Sequence, residues 1–278
     1  MPEGDDIHHH ARQLRARLAG QRLRRVWLRA GGAAAVRGRR VDAVHAIGKH
    51  LIIALSAEPG LPDALRVHLG LHGGWRMLPA GRVPRRLAHR TALRLGTDRE
   101  ELLCLGAKQV ELGTLARMRQ AGALSRLGPD LLGAAPDLHA IARSARQARP
   151  LGDVLLDQEI AAGIGNVYKA ELCFWARRAP STPADGLSVA ELEAIYTQAR
   201  TWLEANVGPW TRVTTGPPPL PPQQHGARTF VYGRRGRPCL RCGDRIVSAR
   251  QGSPQRVTYR CPTCQPEPRS ASDPQDGG

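Results

Sequence analysis

The chain has 278 residues, 41% of them hydrophobic, and a formal net charge of +17. That length suggests two domains, or three with a small metal module. The charge favours a polyanionic partner, nucleic acid before an acidic membrane surface; with no apolar run of membrane-spanning length and no signal peptide before the first helix, a soluble intracellular protein is expected.

The chain opens Met1-Pro2-Glu3-Gly4-Asp5. A polar start of this kind is ordinarily a frayed terminus. With Met1 removed, however, Pro2 carries a free secondary amine. An α-amino group titrates near about 8, against about 10.4 for a lysine side chain, so a useful fraction is an unprotonated nucleophile at neutral pH. Its attack on an aldehyde-level carbon gives an iminium, an electron sink. Glu3 stands beside it to donate or accept protons. Asp5 or Asp6 is expected to cap a helix that buries Ile7, Ala11, Leu14 and Leu18 and stops at Gly20. His8, His9 and His10 are adjacent, point in different directions, and read as solvated helix residues.

From Arg22 to Leu105 the pattern is strand-like, with runs at Leu23–Leu28, Val41–Ile47, Leu51–Leu55, Leu65–Leu69, Trp75–Leu78, Thr91–Leu95 and Glu101–Leu105. Short apolar runs between Gly, Pro and Asp are the signature of a sandwich or barrel. Lys49 lies in the turn Gly48-Lys49-His50, and Gly70-Leu71-His72-Gly73-Gly74 forms an exposed loop. Lys49, Lys108 and Lys169 are the three lysines among 41 basic residues; the other 38 are arginines. Arg cannot release its proton, so each lysine is a place where an ammonium is needed or a chance survivor.

After Met118 the pattern turns helical. Residues 119–130 are expected to link domains, and helices are expected at 137–147, 153–160, 166–177 and 188–205, the last with a capping box of Ser188 and Glu191. The expected domains are 1–118, 119–215, a Pro-rich linker at 216–227, a metal module at 228–266 and a disordered polar tail at 267–278.

Cys239-x2-Cys242 and Cys261-x2-Cys264 are separated by eighteen residues, the spacing of a closed tetrahedral zinc site of structural type. Cys104 and Cys173 read as buried thiols of a reducing compartment. The segment between the cysteine pairs holds Arg245, Arg250, Gln251, Arg256 and Tyr259. It is either a phosphate-contacting hairpin or a basic loop facing solvent. In Asp157-Gln158 to Gly165-Asn166 a helix ends, glycines turn the chain, and a helix starts at Asn166. This is either an ordinary tight turn or, in a chain of charge +17, an anion site whose backbone N–H groups suit a DNA phosphate. Lys49 alone is an ordinary turn lysine. With Pro2 and Glu3 it fits base excision followed by strand cleavage.

Together these segments resemble the formamidopyrimidine-DNA glycosylase / endonuclease VIII family of bifunctional DNA glycosylases. The resemblance rests on Pro2-Glu3-Gly4-Asp5, Gly48-Lys49, His68-Leu69-Gly70-Leu71-x-Gly73, Leu127-Gly128-Pro129-Asp130-Leu131-Leu132, the segment from Leu155-Leu156-Asp157-Gln158 to Gly165-Asn166, and Tyr259-x-Cys261-Pro262-x-Cys264-Gln265. It implies an α+β multidomain fold: an N-terminal β-sandwich, a helical helix-two-turn-helix domain and a C-terminal zinc finger, with damaged double-stranded DNA held in the cleft between domains. It implies roles too. Pro2 resembles the Schiff-base nucleophile, Glu3 the proton donor, Lys49 the lysine of β-elimination, and Arg256 the zinc-finger arginine that holds the lesion phosphate for δ-elimination. Arg126 and Asn166 match DNA-contacting positions, and Leu71 the wedge that fills the hole left by a flipped base. Cys239, Cys242, Cys261 and Cys264 match the ligands of one structural Zn2+. Gly4 and Leu71 follow the endonuclease VIII branch, and 107–110 lacks the Arg-x-Phe of the purine branch. Gly70 stands where the endonuclease VIII pattern can offer a Gln side chain, and Asp6 replaces a Glu common in the family. The expected protein is thus a monomeric bacterial enzyme of the cytoplasm, associated with the nucleoid, that excises oxidised pyrimidines and nicks the abasic site. The alternatives are the same chemistry on 8-oxoguanine or formamidopyrimidine, or a non-catalytic zinc-finger DNA-binding protein.

Overall fold

The structure, a computed structural model, describes residues 2–209, 211–216 and 227–268. Most of the linker expected at 216–227 and of the tail expected at 267–278 lies outside those residues, as does Met1. The chain divides into two compact units, one of residues 1–133 with 207–209, the other of the remainder from Ala134.

In the first unit, helix α1 (Gly4–Leu18) turns its Ile7, Ala11, Leu14 and Leu18 face inward, each at most 2% exposed. It covers two antiparallel four-stranded sheets. One is ordered β1 (Arg25–Leu28), β6 (Thr91–Gly96), β7 (Glu100–Leu105), β5 (Gly74–Pro79); the other β2 (Val41–Ile47), β3 (His50–Leu55), β4 (Ala64–His68), β8 (Gln109–Gly113). Alternation sends Leu93, Leu95, Leu102 and Cys104 from the first sheet and Val41, Leu51, Ile53 and Val67 from the second into one core with the helix. This is the expected sandwich, its strands close to the expected runs, with β8 as an unforeseen eighth. A short helix α2 (Leu115–Gln120) follows, capped by Thr114. The stretch 119–130, expected to link domains, instead packs on the first unit: Leu124 and Met118 are buried beside Ile52 and Ala64.

The second unit contains α3 (Leu138–Ala145), α4 (Leu151–Leu156), α5 (Asn166–Trp175) and α6 (Val189–Ala205), then the hairpin β9 (Val247–Gln251) and β10 (Arg256–Arg260). The Ser188–Glu191 capping box of α6 is present. Nine of the ten residues of α5 are buried, so it is the central helix of this unit. Cys104 and Cys173 are fully buried, and burial pushes both thiols up to about 12, which makes them inert core residues. No helix among the described residues is long and apolar enough to cross a membrane.

Candidate DNA-processing site

Helix α1 starts two residues before a cap at Asp5 would place it and three before a cap at Asp6 would. Glu3 is the cap: its backbone is extended, and its N–H donates to Asp6 Oδ2 at 2.9 Å in a reciprocal capping box. Asp6 is therefore the third helical residue, where an acidic group suits the positive end of the helix. Glu3 and Asp5 are each 1% exposed, and Pro2 is half-buried. The terminus is thus a fixed element whose first residues are built into the sandwich.

Lys49 occupies the β2–β3 turn, half-buried. Asp130 holds that turn. Its Oδ2 accepts from Gly48 N at 2.9 Å and from His8 Nε2 at 3.0 Å, and its Oδ1 from Leu132 N at 3.0 Å. Burial works to raise the Asp130 pKa, but these donors and the His8 charge outweigh it and hold the carboxyl below its ordinary value. One carboxylate so joins α1 to the lysine turn. His8, expected to be solvated, is here a buried-side anchor.

Beside Lys49 two neutral imidazoles sit among Lys49, Lys108 and Arg66, the last of them ion-paired with Glu111. His50 and His68 face each other across β3 and β4 with ring centroids 5.0 Å apart, and His50 Nδ1 lies 2.9 Å from Arg66 Nη1. Burial, then His68, Arg66 and Lys49, lowers the His50 pKa to about 3; burial, then Lys108, Lys49 and Arg66, lowers His68 to about 4. Both imidazoles are neutral at physiological pH in a field that attracts anions.

Leu71 stands at the tip of the next loop, 56% exposed. The loop is fixed from beneath. Gly70 has φ +70°, and a Cβ there would lie 2.8 Å from Lys108 Cβ; a Cβ on Gly73 would lie 2.3 Å from Leu69 O. Lys108 N donates to Leu69 O at 3.3 Å, so the β7–β8 turn backs the loop. Arg126 is exposed, four residues before Asp130.

In the second unit Gln158 ties the turn that leads into α5. Its amide donates to Leu156 O at 2.8 Å and Ile164 O at 3.0 Å, and its Oε1 accepts from Gly163 N at 3.1 Å. Asn166, 7% exposed, opens α5; its Nδ2 donates to Val257 O at 2.8 Å, while its buried Oδ1 has no hydrogen-bond partner among the described residues. Arg256 is the first residue of β10, exposed, opposite Gln251. Asn166 and Arg256 are thus brought together through the residue after Arg256.

The Sγ atoms of Cys239, Cys242, Cys261 and Cys264 lie within 4.8 Å of one another, with Cys239–Cys264 at 3.9 Å and Cys242–Cys261 at 3.4 Å. A tetrahedron of thiolates about 2.3 Å from a metal has its sulfurs about 3.8 Å apart, so the donor set fits a single four-coordinate ion. Burial and the neighbouring sulfurs push the Cys264 thiol up to about 12, a penalty that a bound cation removes.

Asp130, which the sequence pattern places only in the stretch 119–130 and in the motif at 127–132, is the residue that secures the Lys49 turn. Its signal lay in position: an acidic residue just beyond Gly128-Pro129, whose partners are distant in sequence.

Residues 1–110 match the family model of the formamidopyrimidine-DNA glycosylase N-terminal domain, and residues 127–213 that of the formamidopyrimidine-DNA glycosylase H2TH domain. The DNA-(apurinic or apyrimidinic site) lyase Nei2 of Mycolicibacterium smegmatis is 39% identical, with 95% of this chain and 99% of that protein covered. The probable endonuclease 8 2 of Streptomyces coelicolor is 40% identical, with 97% and 96% covered. The crystal structure of MutM (Fpg) from Thermus thermophilus superposes with a TM-score of 0.77 at 32% identity, covering 96% of this chain and all of that one.

Proposed function

This chain belongs to the formamidopyrimidine-DNA glycosylase family, and from that membership we propose that it excises oxidised pyrimidines from DNA and cuts the abasic strand by β- and δ-elimination. It is a DNA glycosylase and abasic-site lyase of the endonuclease VIII type. The observation that carries the finer reading is the fixed amino terminus: a half-buried Pro2 attached to Glu3, a buried helix cap.

In this reading the Pro2 lone pair attacks C1′ of the damaged nucleotide, and the glycosidic bond breaks with the electron pair leaving on the base. Glu3 protonates the sugar ring oxygen as the C1′–O4′ bond opens, leaving an iminium between C1′ and Pro2. The iminium acidifies C2′–H. Removal of that proton, with Lys49 as the assisting group, expels the 3′ phosphate. Loss of a second proton at C4′ expels the 5′ phosphate, which Arg256 holds through its guanidinium. Water then releases Pro2. Arg126, Asn166 and the start of α5 contact backbone phosphates, and Leu71 fills the vacated stack. Lys49 and Lys108 beside the neutral His68 support a phosphate path at the β2–β3 turn. The metal is proposed to be Zn2+, which four thiolates in a closed tetrahedron select; its task is to fix the hairpin that carries Arg256.

The preference for pyrimidines is supported by Gly4, by Leu71 and by the absence of an Arg-x-Phe in the β7–β8 turn, and by the endonuclease 8 names of relatives at 38–40% identity. The test is borohydride trapping with duplexes carrying thymine glycol, 8-oxoguanine or an abasic site. The expected result is a covalent adduct on Pro2 with thymine glycol and the abasic site, and a much weaker one with 8-oxoguanine. Preference for 8-oxoguanine overturns the lesion assignment. No adduct with any substrate, despite tight binding, overturns the enzyme mechanism.

A further inference from the structure

Lys169 is 1% exposed in the middle of the second unit, in a chain that uses arginine at 38 of its 41 basic positions. It lies one helical turn after Asn166 on α5, and its Nζ donates to Thr258 Oγ1, itself a buried group. Asn166 holds the carbonyl of Val257 from the same helix face. Two consecutive residues immediately after Arg256 are therefore gripped by α5, one by its backbone and one by its side chain. The same helix holds the other flank of the finger: Glu171 accepts from the backbone N–H groups of Phe230, Val231 and Tyr232 at 2.7–2.9 Å and from Thr214 Oγ1 at 2.6 Å.

Taking an ammonium out of water is costly even when it is well bonded. An aliphatic residue of the same length fills that volume without the penalty. A buried lysine here is thus poor design for stability alone, and its recurring use is to fix one geometry among several that packing would allow. The compact ammonium, with three rotatable donors, suits this enclosed place; a planar guanidinium does not. We propose that Lys169 is a positioning residue for Arg256: through Thr258 it sets the register and tilt of β10, so that Arg256 meets the phosphate at the geometry the second elimination needs. This rests on the role given to Arg256 above.

The test compares Lys169→Met, Thr258→Val and the double variant with wild type, and uses Arg256→Ala as the benchmark. Each is given an abasic duplex under single-turnover conditions. Three quantities are read: borohydride trapping, the ratio of δ- to β-elimination product, and amide hydrogen exchange across residues 256–260. The expected result is trapping within about two-fold of wild type and a product ratio lowered about ten-fold in Lys169→Met, as in Arg256→Ala. Thr258→Val should reproduce the lowered ratio, and the double variant should lower it no further, because the Lys169–Thr258 contact is the one that holds β10. Exchange at β10 should quicken. A merely structural lysine would lower trapping and both products together with Tm. A wild-type ratio in Lys169→Met beside a lowered ratio in Arg256→Ala overturns this inference and spares the reading of Arg256. An unchanged ratio in Arg256→Ala overturns that reading instead; exchange then decides, with faster exchange at β10 upholding the clamp and wild-type exchange ending it. Should Lys169→Met fail to fold, Thr258→Val carries the same comparisons.

Discussion

Asp130 receives three hydrogen bonds on two oxygens, and each donor comes from a different part of the first unit: α1, the Lys49 turn and its own loop. Replacing it with Ala leaves the Gly48 and Leu132 N–H groups and the His8 ring without their acceptor, which costs about 1–3 kcal/mol for each group that stays buried. Asp130→Ala is therefore expected to lose about 2–4 kcal/mol of stability and to slow nicking of an abasic duplex more than ten-fold, while DNA affinity changes little. Denaturant unfolding and single-turnover nicking beside a binding titration measure this; unchanged nicking in a folded variant removes Asp130 from the support of Lys49. The four-cysteine cluster was readable because its spacing is fixed in the sequence. Asp130 was not, because its partner His8 lies 122 residues away and hydrogen-bond closure over that distance leaves no periodic trace. Lys169 was half readable: its rarity was visible and its burial was not.

Most strands of the sandwich were legible because their apolar runs face a closed core. β8 was not. Its apolar face is only Val110 and Leu112, both partly buried against the core, and its other face is tied to β4 by an ion pair, Glu111 with Arg66 at 2.6 Å on paired residues. The start of α1 was misplaced by two or three residues because Glu3 is an uncommon cap that needs Asp6 to complete it. On the neighbouring strands, His50 and His68 make a pH prediction. In the unfolded chain each titrates near its ordinary value of 6.5; in the folded sheet they fall to about 3 and about 4. Below 6.5 the unfolded state binds protons that the folded state refuses. Stability from this pair is complete above 6.5 and is lost as pH falls through 4 and 3. The Tm should therefore drop between pH 6.5 and 4, and His50→Gln should make that slope shallower. An identical slope in the variant means that His50 titrates normally.

At the scale of the molecule, 41 basic against 24 acidic side chains make DNA binding a matter of counterion release. Contact with six to ten phosphates lowers affinity by about 10³–10⁵ between 50 and 200 mM salt. Affinity measured across that range should follow a steep straight line of log Kd against log salt, and Arg256→Ala should reduce its slope by about one. A flat line would mean that the surplus charge does not face the duplex. The order of the chain adds a temporal consequence. Translation proceeds from the amino terminus, and domains fold largely as they emerge. The sandwich with Pro2, Glu3 and Lys49 is whole before any of Cys239, Cys242, Cys261 and Cys264 exists. Helix α5 is made before them too, yet Lys169 and Glu171 take partners from the finger segment, Thr258 and residues 230–232. The nascent helical unit thus waits with two charged groups still hydrated. They become buried only when the finger segment arrives, so the interior of this unit is completed by the last part of the chain to be made, after the amino-terminal sandwich is already in place.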